Sequence, residues 1–550
     1  MAQKTSVLKK KNLLLLFITF VVAIAIRFAW FPNNVYFGYD QARDAIVSQE
    51  IYKNGDFKIM GPSAGKEGLY HGPAYWYLIG PIYLLSGGDP SFVLAFISLL
   101  NVAGVFLIYF LGKKLFDEKV GLIASFFYAI SFSQTQYALY FANPSPAVLS
   151  IMVFYLGWAL LLFGKNKLPR SELARYPAKT GKFDSLSHLS PPEAGYSASR
   201  NKWSWLLIGL GLGLSIQFEF FLIYLFASVL LFSIFFFKEI KQNIKFKKIL
   251  LGIFSLVLTL STFVIVEIKY GFRTSKMILG LFLPKSAQSA PEIHFATSNF
   301  LGRVGMEVYY DVFRGVPKTR EILAICLFFT ILIFIFKFKT YRKQFLFILI
   351  WILSNLFLDF FGPPQLYYVG IGLSIPVIFI FSFLIERLFK KSKLLAAILL
   401  IIFVYGNIHL ITKYNPKGPV MDLYVQRGML LSDEKKVLDY IYSDAKKEKF
   451  VVNALTMPYK IKTTWAYLLS WYGMRKYGYL PFWGGEDVPG YAGSLPLPDR
   501  REYGRYAIIE PMRGIPEDLR KEFTDSENGY SLPKSIMKVG YFEVEKRIPD

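Results

Sequence analysis

The sequence contains one cysteine, Cys326, and four histidines that lie far apart along the chain. One cysteine cannot form a disulfide within the chain, and scattered histidines offer no zinc cluster. The chain also lacks a P-loop and a glycine-rich nucleotide fingerprint, which are common means of holding the phosphates of a cytosolic nucleotide. The substrate of any transfer reaction is therefore expected to arrive already activated.

Acidic residues are few: 39 Asp and Glu stand against 63 Lys and Arg, which gives a formal net charge of +24. A basic chain can bind nucleic acid, but here much of the excess lies in short clusters between long apolar runs. In that position the cations face anionic lipid head groups. Membrane lipids are therefore expected partners, and nucleic acid is not.

Hydrophobic residues make up 54% of the chain and aromatic residues 18%, and the repeated apolar runs exceed what one soluble core requires. Most runs approach the roughly 20 residues needed to cross a bilayer. They predict an α-helical polytopic membrane protein with about eleven transmembrane helices. The predicted spans are 12–31, 90–111, 119–138, 145–163, 203–217, 218–237, 249–268, 321–336, 345–361, 367–386 and 394–412. Gln217 and Glu219 mark the point that divides the continuous stretch 203–237.

The basic clusters predict the orientation of these helices. Lys4, Lys9, Lys10 and Lys11 place the N-terminus in the cytoplasm under the positive-inside rule. The inner loops are then 112–118, 164–202, 238–248, 337–344 and 387–393, and each of them is basic. We therefore predict a multi-pass protein of the cell membrane (plasma or inner membrane). Its large outer segments are 32–89, 269–320 and 413–550.

The chain divides into two predicted domains, a transmembrane domain at 1–412 and an extracytoplasmic soluble domain at 413–550. In the second, a helix is expected to start at Ser432, and strands are expected at 449–452, 506–509 and 541–544. This pattern predicts a small α/β domain, which either stabilises the protein or orients an acceptor. In the first outer segment, the aromatic residues after Pro73 predict an interfacial helix that is too short to cross the membrane.

The first outer segment also holds the clearest candidate for chemistry, Tyr39-Asp40-Gln41-Ala42-Arg43-Asp44. On a helical turn Asp40 and Asp44 share one face, with Arg43 beside them. A carboxylate at the bilayer surface can take a proton from an acceptor hydroxyl, which is worth about 10²–10⁴-fold in rate. The alternative is a solvated helix start. The flanking aromatics, and the position where a lipid-borne substrate would arrive, favour the functional role.

Further candidates lie near the predicted outer ends of the spans. Cations in the outer segment 269–320 can hold a lipid phosphate and stabilise the charge that grows as it leaves. A carboxylate inside an apolar stretch is costly and rarely idle, and side chains at an outer helix end can contact phosphate or sugar. These candidates are Arg273, Lys276, Arg303, Glu219, Gln365, Tyr367 and Tyr368. A solvated loop, a helix end and an aromatic belt are the structural alternatives for them.

Four short segments carry a resemblance to a known family. Tyr39-Asp40-Gln41-Ala42-Arg43 is similar to an Asp-Glu-x-x-Arg-Tyr-type motif, and His71-Gly72-Pro73 resembles a His-Pro-Pro segment. Glu267–Arg273 looks like the exit of a span into an outer loop, and Tyr367-Tyr368 with Pro376 resembles a Tyr-and-Pro pattern near the lipid phosphate. Over residues 10–412 the chain resembles polyprenyl-phosphate-dependent glycosyltransferases of the GT-C fold. The resemblance is to the group of protein O-mannosyltransferases and the aminoarabinose transferase of lipid A.

The resemblance implies an inverting glycosyltransferase that moves a sugar from a polyprenyl-phosphate carrier to an acceptor hydroxyl at the outer face of the membrane. Asp40 is then the catalytic base, and Arg43, Asp44 and His71 join the residues expected to bind substrate or lipid phosphate. The sequence departs from the family at Gln41, where Glu is frequent, and at Asn143, where relatives often have an acid. No metal and no other cofactor is therefore predicted.

The expected partners are the polyprenyl-phosphate sugar donor, a protein, lipid or glycan acceptor, and membrane lipids. Two alternatives remain open. One is a lipid-linked glycan flippase or small-solute transporter without chemistry, which would line a path through the bilayer midplane with charges. Here the charged candidates cluster on the outer side instead. The other is a polymerase or ligase that moves a whole glycan chain and shares the same outer-face logic.

Overall fold

The computed structural model describes residues 2–65, 68–163, 194–282, 297–312, 320–361, 367–420, 426–500, 503–513 and 515–549. The predicted inner loop 164–202 therefore lies largely outside the described residues. Helices make up most of the described chain, and the named strands all follow residue 449. The protein is thus mostly helical, with a sheet confined to its C-terminal part.

Helices run through the first three quarters of the chain. They are α1 (Ala2–Phe28), α2 (Tyr39–Asn54), α3 (Ala74–Leu85), α4 (Pro90–Leu115), α5 (Glu118–Ile130), α6 (Phe132–Tyr140), α7 (Ala147–Leu162), α8 (Ala194–Phe218), α9 (Leu225–Phe235), α10 (Phe237–Asn243), α11 (Phe246–Thr259), α12 (Ser261–Lys269), α13 (Arg273–Phe282), α14 (Thr297–Asp311), α15 (Arg320–Lys337), α16 (Arg342–Ser354), α17 (Ser374–Lys391) and α18 (Lys393–Tyr414). Short 3₁₀ turns lie at Phe220–Tyr224, Lys339–Tyr341, Asn355–Phe361, Tyr367–Gly370 and Asn415–Lys417.

Several of these helices suit a membrane. Among the described residues, Lys10–Phe28, Pro90–Leu115, Lys339–Asp359 and Lys393–Lys417 are long and apolar enough to cross one. Two bent pairs also qualify if each is one span: Phe220–Phe235 with Phe237–Asn243, bent by 90°, and Phe246–Thr259 with Ser261–Lys269, bent by 59°. A helix lies at every predicted span. Because several are short or interrupted, the number of eleven spans stays a prediction.

Local sequence explains where α4 and α5 meet. Asp89 caps α4 by accepting from the Ser91 N–H at 2.9 Å, and Pro90 occupies the first turn, where its missing N–H costs nothing. Asp117 then caps α5, accepting from the backbone of the next turn at 2.9 Å. The predicted inner loop 112–118 is therefore a tight junction between two helices.

Two predicted spans are interrupted in the structure, at Ser131 and at Glu219. Ser131 separates α5 from α6, so the predicted span 119–138 consists of two helices. Glu219 follows α8 in an extended conformation and caps the turn Phe220–Tyr224 that leads into α9. The division of the stretch 203–237 therefore falls at the polar residues that predicted it.

Glycines bring α7 and α8 into close contact, as small residues do between membrane helices. A Cβ added to Gly157 would lie 2.8 Å from the Ile208 nitrogen, and one added to Gly211 would lie 2.4 Å from the Phe154 nitrogen. Larger residues at these glycines would push the two backbones apart. The close approach holds the turn before α7 against the break at Glu219, where candidate site residues lie.

The C-terminal part contains a five-stranded mixed sheet. Its elements are α19 (Leu431–Asp444), β1 (Phe450–Leu455), α20 (Thr463–Leu468), a π-helical turn (Leu469–Gly473), α21 (Met474–Tyr477), β2 (Phe482–Trp483), β3 (Gly504–Ile509), α22 (Glu517–Asn528), β4 (Ser531–Val539) and β5 (Phe542–Pro549). The strand order is β2-β1-β3-β5-β4; β1 pairs in parallel with β2 and β3, and β5 is antiparallel to both its neighbours. Strands thus occur at the three predicted places, while β2 and β4 were not predicted.

The C-terminal part is joined directly to the segment that precedes α2. The Phe37 N–H donates to the Met429 carbonyl at 3.0 Å, and the Leu431 N–H donates to the Val35 carbonyl at 2.9 Å. Between these two bonds, Tyr36 and Leu430 pair as in an antiparallel ladder. One apolar core continues from the helices into α19 and the inner face of the sheet.

Candidate active site

The start of α2 is fixed by Gln41 and Gly38. The Gln41 side chain accepts from the Gly38 N–H at 3.2 Å and donates to the Tyr140 carbonyl at 3.1 Å. A Cβ on Gly38 would lie 2.6 Å from the Tyr36 hydroxyl, so a glycine here leaves room for the Tyr36 side chain. Gln41 therefore ties the helix start to the end of α6, which places Asp40 beside Tyr140.

Arg43 joins the two carboxylates of this helix. Its Nη1 lies 2.7 Å from Asp40 Oδ1, and its Nη2 lies 2.8 Å from Asp44 Oδ1. The Asp40 side chain is 43% exposed, whereas that of Asp44 is 1% exposed. Trp76 Nε1 also donates to Asp44 Oδ1 at 2.7 Å. Asp40 and Asp44 lie on one helix, but Asp40 is the accessible carboxylate of the two, because Asp44 is buried beneath Arg43 and the indole of Trp76.

Burial shifts the pKa values of Asp44 and Arg43. It raises the pKa of Asp44, and the positive charge of Arg43 and the Trp76 hydrogen bond oppose that rise. Burial lowers the pKa of Arg43, but Asp44 and Asp40 outweigh it, and the net direction is upward. Arg43 is thus a fixed cation that holds Asp44 and orients Asp40. The other oxygen of Asp40 lies 3.4 Å from the Tyr140 hydroxyl.

His71 is a buried, neutral histidine. Its Nδ1 accepts from the Phe220 N–H at 3.0 Å, which leaves the ring proton on Nε2. Burial, with a contribution from Arg43, lowers the pKa of His71 to about 3. Its Nδ1 also lies 3.6 Å from Glu219 Oε1, but a neutral ring makes this contact no ion pair. His71 therefore offers one N–H and no charge.

Glu219 lies at the break after α8. It is fully buried, and one carboxylate oxygen caps the turn by accepting from the Phe221 N–H at 3.3 Å. Its other oxygen has no hydrogen-bond partner among the described residues. The Gly72 N–H donates to the Gln217 carbonyl at 2.9 Å, and a Cβ on Gly72 would collide with the Gln217 side chain. The segment around His71 is thus seated on this break.

The turn between α6 and α7 completes the site. Asn143 donates to the Phe218 carbonyl at 2.8 Å, and the Tyr75 hydroxyl donates to the Phe141 carbonyl at 2.5 Å. From the sequence, Asn143 was recognised only as a departure from a family pattern. The aromatic residues of α3 were predicted only to lie at the membrane interface. Their long-range contacts bring together α2, the start of α3, the turn before α7 and the break at Glu219.

The other predicted site residues either lie apart from Asp40 or fall outside the described residues. Arg303 is held by Asp359 at 2.8 Å and by the Asn355 side chain at 2.9 Å. Arg273 and Lys276 lie exposed on α13. Tyr367 and Tyr368 open the short 3₁₀ helix Tyr367–Gly370. Gln365 lies outside the described residues.

The sequence analysis missed two buried carboxylates, Glu307 and Asp311. They are 2% and 0% exposed, and their spacing of four places them on one face of α14. Asp311 Oδ1 accepts from the Ser131 hydroxyl at 2.7 Å, at the junction of α5 and α6. The four-residue spacing on an amphipathic helix was the available signal. Within the described part of the chain, no group of three or more His, Cys, Asp or Glu side chains has a metal-binding arrangement.

The mostly helical architecture with a C-terminal sheet has the GT-C fold of a solved structure, ArnT. The chain is similar to ArnT from Cupriavidus metallidurans in the apo state. The TM-score is 0.53 and the sequence identity is 9%, and the match covers 99% of this chain and 98% of ArnT. At this identity the likeness is one of fold, and the suggested GT-C fold is confirmed.

Two further solved structures are similar at lower scores. ArnT from Cupriavidus metallidurans bound to undecaprenyl phosphate matches with a TM-score of 0.47 and 9% identity, over 96% of this chain and 97% of ArnT. The Archaeoglobus fulgidus oligosaccharyltransferase tethered with an acceptor peptide matches with a TM-score of 0.45 and 12% identity, over 83% of this chain and 63% of that one. No family model matches the sequence, and no curated protein matches it significantly.

Proposed function

We propose that this protein is an inverting glycosyltransferase that transfers a sugar from a polyprenyl-phosphate carrier to an acceptor hydroxyl at the outer face of the cell membrane. The observation that carries the proposal is the accessibility of Asp40. Its side chain is 43% exposed while its neighbour Asp44 is 1% exposed. Asp40 is thus the carboxylate of the pair that an acceptor can reach. The GT-C fold supports the same class of reaction.

The contacts of Asp40 suit a general base. Arg43 holds Oδ1 at 2.7 Å, and among the described residues the Tyr140 hydroxyl, at 3.4 Å, is the one hydrogen-bond donor to Oδ2. We infer that Oδ2 takes the proton of the acceptor hydroxyl as the acceptor oxygen attacks the anomeric carbon of the sugar. The bond between that carbon and the carrier phosphate breaks on the opposite face, so the configuration inverts. The phosphate leaves with the electron pair of that bond.

The leaving phosphate needs donors and positive charge. We infer that Arg273 and Lys276 bind the leaving phosphate. Both are exposed on α13, just after the bent pair α11 and α12. We also infer that the Nε2–H of His71 donates to this phosphate, because Nδ1 already accepts from the Phe220 N–H. Arg303 is less suited as a direct ligand, since Asp359 and Asn355 already occupy its guanidinium. Gln365, Tyr367 and Tyr368 stay predicted contacts of the lipid phosphate.

The test is transfer of a radiolabelled sugar from synthetic polyprenyl-phosphate donors in proteoliposomes. Asp40→Asn keeps the size of the side chain but removes the base, so transfer should fall about 10²–10⁴-fold. Asp56→Asn is the matched control, because Asp56 is exposed and contacts only Lys58 among described side chains. Normal transfer by folded Asp40→Asn protein would refute the assignment of the base. Label that crosses the bilayer without transfer to an acceptor or to water would refute the glycosyltransferase in favour of a transporter.

A further inference from the structure

A second pocket lies beside the later turns of α2, apart from the Asp40 site. It has a volume of about 330 Å³ and opens between α2, the loop before α4 and the C-terminal helices α20 and α21. Its polar lining includes Gln49, Lys53 and Arg475, with Trp471 as an aromatic wall. Glu50 is the one carboxylate in the described lining. Neither the base nor the donor phosphate of the proposed transfer uses these residues.

The pocket lining carries two cations, Lys53 and Arg475, and neither of them is paired with Glu50. Lys53 donates to the Gln49 side chain at 3.0 Å, and Arg475 donates to the Gly87 carbonyl at 2.8 Å. Lys435 lies 4.8 Å from the centre of the Trp471 ring. Within the described part of the chain, none of these three cations forms an ion pair. Two neutral hydrogen bonds use only part of their donor capacity.

Trp471 adds a donor that lacks a partner. Its Nε1 is buried, and no acceptor within the described residues reaches it. A buried N–H without an acceptor is unfavourable, so an acceptor supplied by a ligand would stabilise it. An N–H of this kind, combined with Arg475 and Lys53, suits an anion with several oxygens, such as phosphate.

Apolar residues around the pocket place it at the level of the lipid head groups. The loop after α3 links the expected interfacial helix to α4, which is long and apolar enough to cross a membrane. Leu85 and Phe92 flank this loop and are 86% and 59% exposed, and Met474, next to Arg475, is 47% exposed. Apolar side chains in lipid with cations just above them are typical of a membrane–water boundary.

We propose that this pocket binds the phosphate of an anionic phospholipid head group from the surrounding bilayer, and that it thereby anchors the C-terminal part to the membrane surface. Arg475 and Lys53 contact the phosphate oxygens, and Trp471 donates to the same group. The inference rests on the proposed insertion of the apolar helices in a bilayer, and glycosyl transfer is not part of it. Phospholipid phosphates are anions that a bilayer holds at this depth.

The experiment titrates the full-length protein in detergent with dihexanoyl-phosphatidylglycerol, a short-chain lipid, and reads tryptophan fluorescence. Saturable binding is expected, and Lys53→Gln/Arg475→Gln should weaken it about tenfold or more, the effect of losing a charge-assisted hydrogen bond. Lys521→Gln/Lys534→Gln removes the same net charge at exposed positions of the C-terminal part and should bind like the unaltered protein. Trp471→Phe should abolish much of the fluorescence response.

Further titrations distinguish a lipid head group from free phosphate, and distinguish lipid binding from the proposed sugar transfer. Dihexanoyl-phosphatidylcholine should bind more weakly than the anionic lipid. If inorganic phosphate binds as tightly as the lipid, the pocket is a free-phosphate site and the headgroup proposal is overturned. Equal affinity in the two double variants would overturn it as well, provided that both elute as single folded species. Asp40→Asn should bind the lipid normally, so loss of transfer and loss of lipid binding are independent results.

Discussion

Arg43 provides the sharpest test of the site geometry, because it contacts one exposed and one buried carboxylate. Breaking a buried ion pair by removing one partner costs about 3–5 kcal/mol, since the remaining charge is left without compensation. Asp44 is 1% exposed and Arg43 is 17% exposed, and Asp44 keeps the Trp76 hydrogen bond. We therefore expect Arg43→Gln to lower the free energy of unfolding by about 3 kcal/mol near pH 8.

This destabilisation should depend on pH in a direction that the structure sets. Burial already raises the pKa of Asp44, and Arg43 opposes the rise. Without Arg43 the folded pKa is higher still, so folded Asp44 binds a proton over a range in which the unfolded carboxyl does not. Stability is then lost as the pH rises through that range. The effect of Arg43→Gln should be small near pH 5 and full near pH 8.

The assay is chemical denaturation in detergent micelles at these two pH values. The double variant Arg43→Gln/Asp44→Asn removes both charges and should regain most of the lost stability at pH 8. Arg43→Gln/Asp40→Asn is the matched comparison and should regain little, because Asp40 is 43% exposed and water can solvate it. A loss of stability that is equal at both pH values, or no rescue by Asp44→Asn, would refute the buried pair as its cause.

Two further predictions concern other parts of the molecule. Glu434 is fully buried with no partner for either oxygen among the described residues, and burial, then Glu510, raises its pKa. A raised pKa makes stability fall with rising pH, so Glu434→Gln should stabilise the protein by up to about 3 kcal/mol more at pH 8 than at pH 5.5. A lower stability of the variant at pH 8 in micelle denaturation would contradict this. Separately, Asn143 occupies the position at which a second acid is expected, so incubation with EDTA should leave sugar transfer in proteoliposomes unchanged. Loss of transfer that added Mg²⁺ or Mn²⁺ restores would show that a metal is needed.

Local sequence predicted the elements of the fold better than their contacts. Apolar run length located α4 within a few residues, and the polar Glu219 located the break after α8, because both signals are carried by adjacent residues. Ser131 interrupts the predicted span 119–138, and the polar run Ser133-Gln134-Thr135-Gln136 beside it was a local signal that run length alone did not use. The C-terminal strands β1, β3 and β5 were found from short β-branched and aromatic runs. β2 is only two residues long, too short for a periodic pattern.

The candidate site shows the same limit more clearly. The spacing of Asp40 and Asp44 predicted a shared helix face, but not that Trp76 would cover Asp44. His71 accepts from Phe220, 149 residues away in sequence, and Arg303 pairs with Asp359, which belongs to a different helical segment. Such pairings depend on how helices pack, which periodicity does not encode. The spacing of Glu307 and Asp311 gives a shared face of α14, but their burial depends on packing against the distant Ser131, which the local sequence does not show.

The ladder between Tyr36 and Leu430 has a consequence for how the protein can move. A clamp of two backbone hydrogen bonds flanking this pair holds the chain only a few residues before Asp40. Force applied to the C-terminal sheet is therefore transmitted through the main chain to the start of α2, with little side-chain slack in between. Movement of the sheet is therefore coupled to movement of Asp40. A chain that ended at residue 412 would lack the sheet and both of these hydrogen bonds.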